Sequence, residues 1–304
     1  MRILVTGGAG FIGSNLVRAL VGLHHKVVVL DDLSTGLESN LDGTGAELVL
    51  GSIADPLAVD SAVRGADAIV HLAARGSVPR SIQEPEATHL VNATGTLNVL
   101  AAARTTGAHV IFSSSSSVYG ANTVLPKREE MWMQPISPYA ASKMAAESYA
   151  LAYREVYDMD VLVLRFFNVY GPWQRPDHDY AAVIPRFAWN GLHGLPIEIH
   201  GDGNQTRDFT HVDSVVAVII DALDRRFGWQ TPVNLAFGQS ISVNDVIAEL
   251  NRQLGIVMEV VSLAARAGDV RNSMNDPALL TELFPQARAI AFSEGIASVL
   301  DWLR

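Results

Sequence analysis

A glycine-rich turn after the first apolar strand restricts the fold of this chain more than any other feature of the sequence. The apolar stretch Ile3–Val5 leads into TGGAGFIGS at positions 6–14, and a helical pattern follows. In such a turn Gly7 permits the tight reversal, Gly10 lets the backbone approach a diphosphate, and Gly13 allows the helix to pack closely. The helix N-terminus then offers free backbone N–H groups to phosphate oxygens. We therefore expect a βαβ unit that binds a dinucleotide.

Short apolar strands alternate with helical segments through the first half of the chain. The strand-like segments are Ile3–Val5, Lys26–Leu30, Glu47–Leu50, Ala68–Leu72, His109–Phe112 and Val161–Arg165. The helical segments between them include Gly13–Val21, Val91–Arg104 and Pro138–Val156. Continuous apolar strands that alternate with helices indicate a parallel sheet covered on both faces. With right-handed crossovers, this pattern predicts an α/β fold with a doubly wound parallel Rossmann sheet.

The pattern changes after Asn168, where proline, glycine and aromatic residues become frequent and regular strands give way to irregular segments. We interpret this region as a smaller α/β lobe that binds the substrate and interleaves with the sheet domain. The dinucleotide-binding domain is expected at residues 1–167 plus about 207–237. The lobe is expected at about 168–206 plus 238–304.

The composition narrows the class of partner. The formal net charge of −10 argues against nucleic acid or an anionic membrane as the main partner. The chain has no cysteine, which excludes disulfides and thiolate metal sites, and we expect no bound metal. Residues 1–5 lead into the glycine turn without a signal-peptide pattern, and no apolar run reaches membrane-spanning length. We expect a soluble, cytoplasmic protein.

An aspartate ends the second predicted strand. Asp31 lies 18 residues after Gly13. A carboxylate at this place accepts hydrogen bonds from the adenosine ribose hydroxyls and would repel a 2′-phosphate. The cofactor is therefore expected to be NAD rather than NADP. The alternative interpretation is that Asp31 only caps the turn that follows it.

A tyrosine and a lysine stand four residues apart in a predicted helix. Tyr139 and Lys143 therefore share one helix face, and a nearby cation, together with a positive nicotinamide ring, is expected to lower the pKa of the phenol. Such a pair often arises by chance. Five serines, Ser113–Ser117, follow the apolar strand that ends at Phe112, where side chains point toward the ligand crevice of an open sheet. A plain loop is the alternative for the serine run, but the combination indicates a catalytic site.

These motifs together resemble the extended short-chain dehydrogenases/reductases, close to the UDP-galactose 4-epimerase group. The resemblance runs nearly from end to end. It rests on TGGAGFIGS, Asp31–Gly36, HLAA at 71–74, Asn92 with Gly95-Thr96, SSVYG at 116–120, YAASK at 139–143, RFFNVYGP at 165–172, Gly201–Gly203, Arg207–Phe209 and Arg266–Asp269.

The resemblance implies a role for individual residues. Ser115, four residues before the tyrosine of V-Y-G, would be the catalytic serine, with Tyr139 as acid/base and Lys143 as its partner. NAD would be lined by Gly7, Gly10, Phe11, Ile12, Gly13, Asp31, Asp32, Ser34, Gly36, Ser52, Ile53, Leu72, Ala73 and Ala74, besides Tyr139 and Lys143. The UDP-sugar would contact Ser115, Ser116, Ser117, Tyr139, Asn168, Arg175, Arg207, Arg266 and Ser273. It also implies a homodimer built from paired helices.

One residue of this set departs from the family pattern, and two others have an alternative explanation. Ser52 stands where the family usually has aspartate, so a weaker hydrogen bond to adenine is expected. Arg207 and Arg266 would suit a diphosphate, because each guanidinium can bind bidentately. The alternative is that they only pair with Asp208 and Asp269.

The residues before V-Y-G bear on the reaction. Related dehydratases and decarboxylases carry an acid there, whereas this chain has Ser116 and Ser117. The resemblance therefore favours a UDP-sugar 4-epimerase, which oxidises C4, lets the 4-keto sugar turn, and reduces it from the other face. A 4,6-dehydratase, a decarboxylase and a non-enzymatic NAD-sensing regulator are the alternatives.

The identity of the sugar rests on two positions. Ser273 would leave room for an N-acetyl group where some relatives have tyrosine. Arg175 resembles an arginine that glucuronic-acid 4-epimerases place near the sugar carboxylate, although it could instead pair with Asp177 or Asp179 at the surface. Asn168 stands where those enzymes have threonine. The sequence leans slightly to UDP-glucuronic acid, with UDP-glucose and UDP-N-acetylglucosamine close behind.

Overall fold

The computed structural model describes residues 1–177, 181–264 and 271–304. Its strands are β1 (Arg2–Thr6), β2 (Lys26–Asp31), β3 (Glu47–Leu50), β4 (Ala68–His71), β5 (His109–Ser115), β6 (Val161–Phe166), β7 (Val169–Tyr170), β8 (Ile197–His200), β9 (Thr206–Arg207), β10 (Thr210–His211), β11 (Val233–Leu235), β12 (Ile241–Ser242) and β13 (Val260–Leu263). Its helices are α1 (Phe11–Gly22), α2 (Pro56–Val63), α3 (Val78–Gln83), α4 (Pro85–His89), α5 (Gly95–Thr106), α6 (Pro138–Tyr157), α7 (Val183–Leu192), α8 (Val212–Asp224), α9 (Val243–Leu254), α10 (Ala278–Leu283) and α11 (Phe292–Leu303).

The main sheet is a doubly wound parallel sheet, as the sequence predicts. Its strand order is β11-β6-β5-β4-β1-β2-β3, and the registers of β1 to β6 are all parallel. All six predicted strands are confirmed, with ends that differ by at most three residues. The order reverses at β1, because the chain moves outward to β3 on one side and returns to β4 on the other. The carboxyl ends of β1 and β4 therefore meet where an open sheet of this kind binds its ligand.

One strand was not predicted from the sequence, and one predicted helix needs correction. The edge strand β11 was not predicted, because it has only three residues and lies among turn-forming residues. The helix predicted at Val91–Arg104 is in fact a π-helical turn at Leu90–Thr94 that continues into α5. A π turn inserts one extra residue per turn, which the 3.6-residue apolar period does not reveal.

The chain divides into two compact units. The first comprises residues 1–122, 129–166 and 216–234, and the second comprises residues 123–128, 167–215 and 235–304. In the first unit, apolar side chains of the sheet pack against those of α2, α5 and α6. In the second unit, the apolar faces of α7, α9 and α11 pack around Tyr170 and Phe209. No helix in the described ranges combines the length and hydropathy that crossing a bilayer would need.

The glycine turn between β1 and α1 is packed backbone against backbone. A Cβ atom on Gly13 would lie 2.1 Å from the carbonyl oxygen of Gly7 and 2.6 Å from the Cα of Gly8. By contrast, nothing lies within 4 Å of the place where a Cβ atom on Gly22 would stand, at the other end of the same helix.

Gly13→Ala is therefore expected to destabilise the protein, whereas Gly22→Ala is the matched control. Overpacking at Gly13 should lower the free energy of unfolding by about 1–3 kcal/mol. Gly22→Ala removes chain entropy from the unfolded state and should change it by about 0.5–1 kcal/mol in the stabilising direction. Urea denaturation of both variants measures the difference. Equal stability of the two variants would contradict the close packing.

Candidate active site

The carboxyl edge of β1 and the start of α1 fit the diphosphate of a dinucleotide. Gly7 has φ +71°, and a Cβ atom there would lie 2.8 Å from the backbone N of Ala73, so only glycine fits. Gly10 is the N-cap of α1 and has no side chain that could cap the first turn. The first N–H groups of the helix are therefore open to an anion, and the positive end of the helix dipole points the same way.

Asp31 lies at the carboxyl end of β2 and is buried. Its Oδ2 accepts a hydrogen bond from the N–H of Ala9 at 2.9 Å, and its Oδ1 accepts one from the N–H of Leu33 at 2.9 Å. Burial raises the pKa of this carboxyl, and the two N–H donors lower it in part. Asp31 thus does hold the adjoining turns. Because each carboxylate oxygen has two lone pairs, it can also accept from ribose hydroxyls.

The other residues predicted to line NAD lie at the same edge of the sheet. Asp32 accepts a hydrogen bond from the N–H of Ser34 at 3.0 Å, and Gly36 packs against the backbone of Ala9. The hydroxyl of Ser52 accepts from the N–H of Ala54 at 3.3 Å, which makes it part of a local turn. Ile53, Leu72, Ala73 and Ala74 are buried or partly buried, and Ile53 packs against the first residue of α5.

Ser115 lies close enough to Tyr139 to lower the pKa of its phenol, although the two residues are 24 apart in the chain. Ser115 ends β5, and its hydroxyl oxygen accepts from the N–H of Ser117 at 3.2 Å and from the hydroxyl of Ser117 at 2.9 Å. Tyr139 lies in the first turn of α6, which begins at the N-cap Ser137. Ser116 and Ser117 form the first turn of a short 3₁₀ helix at Ser116–Tyr119.

The expectation that a cation lowers the pKa of Tyr139 is not met in this structure. Burial raises the pKa of the phenol, and the hydrogen bond with Ser115 lowers it only in part. The reason is that burial is the larger effect. The ammonium of Lys143 donates to the carbonyl oxygen of Ser113 at 2.7 Å and lies 5.1 Å from the centre of the Phe112 ring. Burial lowers the pKa of Lys143 to about 8.

A buried histidine, which the sequence argument missed, adjoins this lysine. The Nδ1 of His71 lies 2.7 Å from the hydroxyl of Thr6, and its Nε2 lies 3.0 Å from the hydroxyl of Thr96. Burial and the charge of Lys143 lower the pKa of His71 to about 3, so the ring is neutral. The signal that could have revealed it is a polar pair, Thr6 and His71, at the ends of otherwise apolar neighbouring strands.

A second missed residue ties the loop after β4 to the tyrosine helix. The side-chain oxygen of Asn92 accepts from the N–H of Arg75 at 2.8 Å, and its nitrogen donates to the hydroxyl of Ser142 at 2.9 Å. Ser142 donates in turn to the carbonyl oxygen of Tyr139 at 2.8 Å. The π-helical turn at Leu90–Thr94 is what directs Asn92 into this position.

Several residues predicted to bind substrate belong to the second unit. Arg207 donates to the carbonyl oxygens of Thr206 at 2.9 Å and Arg271 at 3.2 Å. Asp208, its proposed alternative partner, is instead fully buried and accepts from the N–H groups of Gly238, Gln239 and Asn275 at 2.9–3.1 Å.

The remaining substrate candidates are placed as follows. The side chain of Asn168 donates to the carbonyl oxygen of Asp208 at 3.4 Å, and the N–H of Ser273 donates to the carbonyl oxygen of Thr206 at 3.1 Å. Arg175 makes a two-pronged ion pair with Asp177, with both hydrogen bonds at 2.9 Å. Arg266 lies outside the described residues.

The fold and this edge of the sheet define a dinucleotide-binding enzyme with a Ser-Tyr-Lys site. The chain belongs to the NAD-dependent epimerase/dehydratase family, whose model matches residues 3–236, and its cofactor is NAD. It is 38% identical to a UDP-glucose 4-epimerase of Mycolicibacterium smegmatis, over 100% of this chain and 99% of the relative. It is 30% identical to a probable UDP-glucuronate 4-epimerase of Rhizobium meliloti, over 99% of this chain and 96% of the relative. A UDP-N-acetylglucosamine 4-epimerase from Methanobrevibacter ruminantium, solved with UDP-N-acetylmuramic acid, shares 34% identity with a TM-score of 0.94, and the match covers 99% of this chain and 97% of that one.

Asp31→Ala is expected to weaken NAD binding, because it removes a charged acceptor for the ribose hydroxyls. The loss should be about 2–4 kcal/mol in the free energy of binding. Titration calorimetry with NAD and with NADP measures it. The matched control is Asp55→Ala, which removes a carboxylate that also holds a backbone N–H group, at the N-cap of α2. A parent protein that binds NADP more tightly than NAD would contradict the role given to Asp31.

Proposed function

We propose that this protein is a UDP-sugar 4-epimerase. The observation that carries the proposal is the placement of Ser115 at the end of β5 and of Tyr139 and Lys143 on α6, where the buried ammonium of Lys143 donates to the carbonyl oxygen of Ser113 at 2.7 Å. These groups lie at the carboxyl edge of the NAD-binding sheet, where such a fold binds its ligand. The reaction requires a base for the proton of the C4 hydroxyl and an acceptor for the hydride on the same carbon. The three relatives described above, all epimerases at C4 by name, support the same reaction.

Each residue then has a distinct chemical task. The phenolate of Tyr139 accepts the proton of the C4 hydroxyl, and the phenol returns it when the sugar is reduced again. The hydroxyl of Ser115 donates a hydrogen bond to the reacting oxygen or to Tyr139. Its oxygen already accepts two hydrogen bonds from Ser117, so donation is the bond that remains for it. Lys143 holds a positive charge near the phenolate and can bond the ribose of the cofactor. Bound NAD would supply the redox chemistry, as a hydride acceptor in the oxidation of C4 and a hydride donor in its reduction.

The nucleotide diphosphate is assigned to residues of the second unit. We propose that Arg207 and Arg266 bind its phosphates and that Asn168 bonds the diphosphate or the adjoining sugar. The carboxylate of Asp208, next to Arg207 in the chain, accepts hydrogen bonds from three backbone N–H groups. Because Asp208 already has these donors, the contacts support a phosphate-binding role for Arg207. Anchored in this way, the 4-keto sugar can turn over before it is reduced.

Dehydration or decarboxylation is the less favoured reaction. Either reaction would need an extra acid or base beside Ser115. Ser116 and Ser117 instead carry uncharged hydroxyl groups. The hydroxyl of Ser117 is also used to hold Ser115. The 4-keto sugar therefore has reduction as its supported route.

We propose a neutral UDP-hexose, UDP-glucose first, as the substrate. The charge of Arg175 is balanced by Asp177, so a sugar carboxylate would meet an already neutral pair. UDP-glucuronic acid is the second candidate. An exposed ion pair is worth only about 0–1 kcal/mol, so a bound carboxylate could displace Asp177 at low cost. Ser273, a small side chain, is compatible with an N-acetyl group.

We also propose that the protein acts as a homodimer. Helices α3 to α6 pack on one another in the first unit and carry exposed apolar side chains. These are Val78, Ile82, Leu90, Tyr149, Val156 and Tyr157. Exposed apolar side chains gathered on neighbouring helices favour burial against another chain.

Tyr139→Phe is expected to lower kcat for UDP-glucose epimerisation by about 10²- to 10⁴-fold, because it removes the acid/base group. The affinity for UDP should stay the same, since the residues proposed to bind the diphosphate are unchanged. Coupled-assay kinetics and UDP titration measure the two quantities. A variant with kcat close to that of the parent would contradict the role of Tyr139.

The sugar is tested with kcat/KM for UDP-glucose, UDP-N-acetylglucosamine and UDP-glucuronic acid. For a neutral substrate, Arg175→Ala should change all three values alike, by no more than about fivefold, because it breaks only an exposed ion pair. Asp177→Ala is the matched variant, since it frees the guanidinium. A selective loss on UDP-glucuronic acid in Arg175→Ala, with a selective gain in Asp177→Ala, would make the acidic sugar the substrate.

A further inference from the structure

An arginine and a glutamate form a buried ion pair behind the catalytic residues. The side chains of Arg165 on β6 and Glu147 on α6 are 3% and 1% exposed. Two parallel hydrogen bonds join them, from Nε to Oε2 at 3.0 Å and from Nη2 to Oε1 at 2.6 Å. Their charges are therefore balanced in a geometry that favours a strong pair.

The glutamate ties the tyrosine helix to the serine strand. Glu147 lies four residues after Lys143 and eight after Tyr139, so the three share one face of α6. Its Oε2 accepts from the hydroxyl of Ser114 at 2.6 Å, while Lys143 donates to the carbonyl oxygen of Ser113. Helix α6 is thus bonded to the two residues that precede Ser115.

The arginine binds the segments on either side of the same site. Its Nη1 donates to the phenol oxygen of Tyr119 at 2.7 Å and to the carbonyl oxygen of Glu129 at 3.0 Å. Its Nη2 also lies 3.5 Å from the sulfur of Met133. Tyr119 ends the short 3₁₀ helix whose N-cap is Ser115, and the segment 129–134 leads to the N-cap of α6. One guanidinium therefore contacts the chain just after Ser115 and just before Tyr139.

An ion pair of this kind is a poor way to gain stability alone. The cost of removing both charges from water often cancels their attraction, and well-packed apolar residues of similar volume can be equally stable. The directional hydrogen bonds are what apolar residues cannot replace. A misplacement of about 1 Å between reacting groups can cost about 100-fold in rate.

We propose that Arg165 and Glu147 are positioning residues that set the separation of Ser115 and Tyr139. This inference rests on the proposed function for its kinetic readout but not for its structural one. Neither residue contacts the reacting atoms; both act through the bonds to Ser114, Tyr119 and the segment before α6.

The experiment compares Arg165→Met with a double variant, Arg165→Met/Glu147→Leu. The single variant leaves a buried carboxylate without its partner and should lower the melting temperature. The double variant removes both charges and should recover much of that temperature. In both variants kcat should fall by about 100-fold with KM unchanged, because the bonds from Arg165 to Tyr119 and to the segment before α6 are gone in each.

Leu223→Ala is the control for lost stability alone. Leu223 is 3% exposed in α8, and its truncation should lower the melting temperature while kcat stays at the parental value. Recovery of kcat together with the melting temperature in the double variant would overturn the proposal. So would a kcat in Leu223→Ala that falls as far as that in Arg165→Met.

A second readout needs no substrate. Carbon-13 NMR of protein labelled at the tyrosine ζ-carbons follows the ionisation of Tyr139, whose signal is the one missing in Tyr139→Phe. Displacement of Ser115 from Tyr139 should move this titration to higher pH in the double variant, in which the net charge of the pair is unchanged and Lys143 and His71 remain. An unchanged titration would overturn the positioning role. A parent that converts no UDP-sugar would overturn the proposed function and leave this test intact.

Discussion

The glycine turn leaves no room for a side chain between neighbouring backbone segments, and the other groups of the site are arranged around it. A side chain on Gly7 would collide with Ala73, and one on Gly13 would collide with Gly7 itself. The N–H of Ala73 donates to the hydroxyl of Thr6 at 3.2 Å, so the loop after β4 is held against the glycine turn. Arg75, two residues after Ala73, donates from its N–H to the side chain of Asn92. Asn92 donates in turn to Ser142 of α6. The glycine turn after β1 and helix α6, which carries Tyr139, are therefore parts of one hydrogen-bonded assembly.

The serine run shows how this assembly satisfies its buried polar groups. Burying a hydroxyl without a partner costs free energy, and here each of the first three serines has a different neighbour. Ser113 donates to the carbonyl oxygen of His71 at 3.1 Å, Ser114 donates to Glu147, and Ser115 accepts from the hydroxyl of Ser117. Serine is small enough to continue β5 through these positions. The first three serines thus end β5 and the last two begin a 3₁₀ helix, so the run is not the plain loop that the sequence left open as the alternative.

The sequence predicted the parts of the fold that follow from local patterns. Apolar runs placed the six parallel strands, and the spacing of Tyr139 and Lys143 placed both on one face of α6. It did not predict contacts between distant segments, such as Arg165 with Glu147 or His71 with Thr96, because a polar residue in an apolar strand does not name its partner. It also misjudged the pKa of Tyr139. The spacing of four residues gives proximity to a cation, but it does not show that burial outweighs that charge.

The charges behind the site are limited to one net positive group. A lysine with a pKa of about 8 is about nine-tenths protonated at pH 7. That charge helps to keep His71 neutral, with its pKa lowered to about 3, so a second cation does not form beside it. Arg165 adds none, because Glu147 balances it in the same buried pair. Lys143 is thus the one net cation among the buried groups described here around α6.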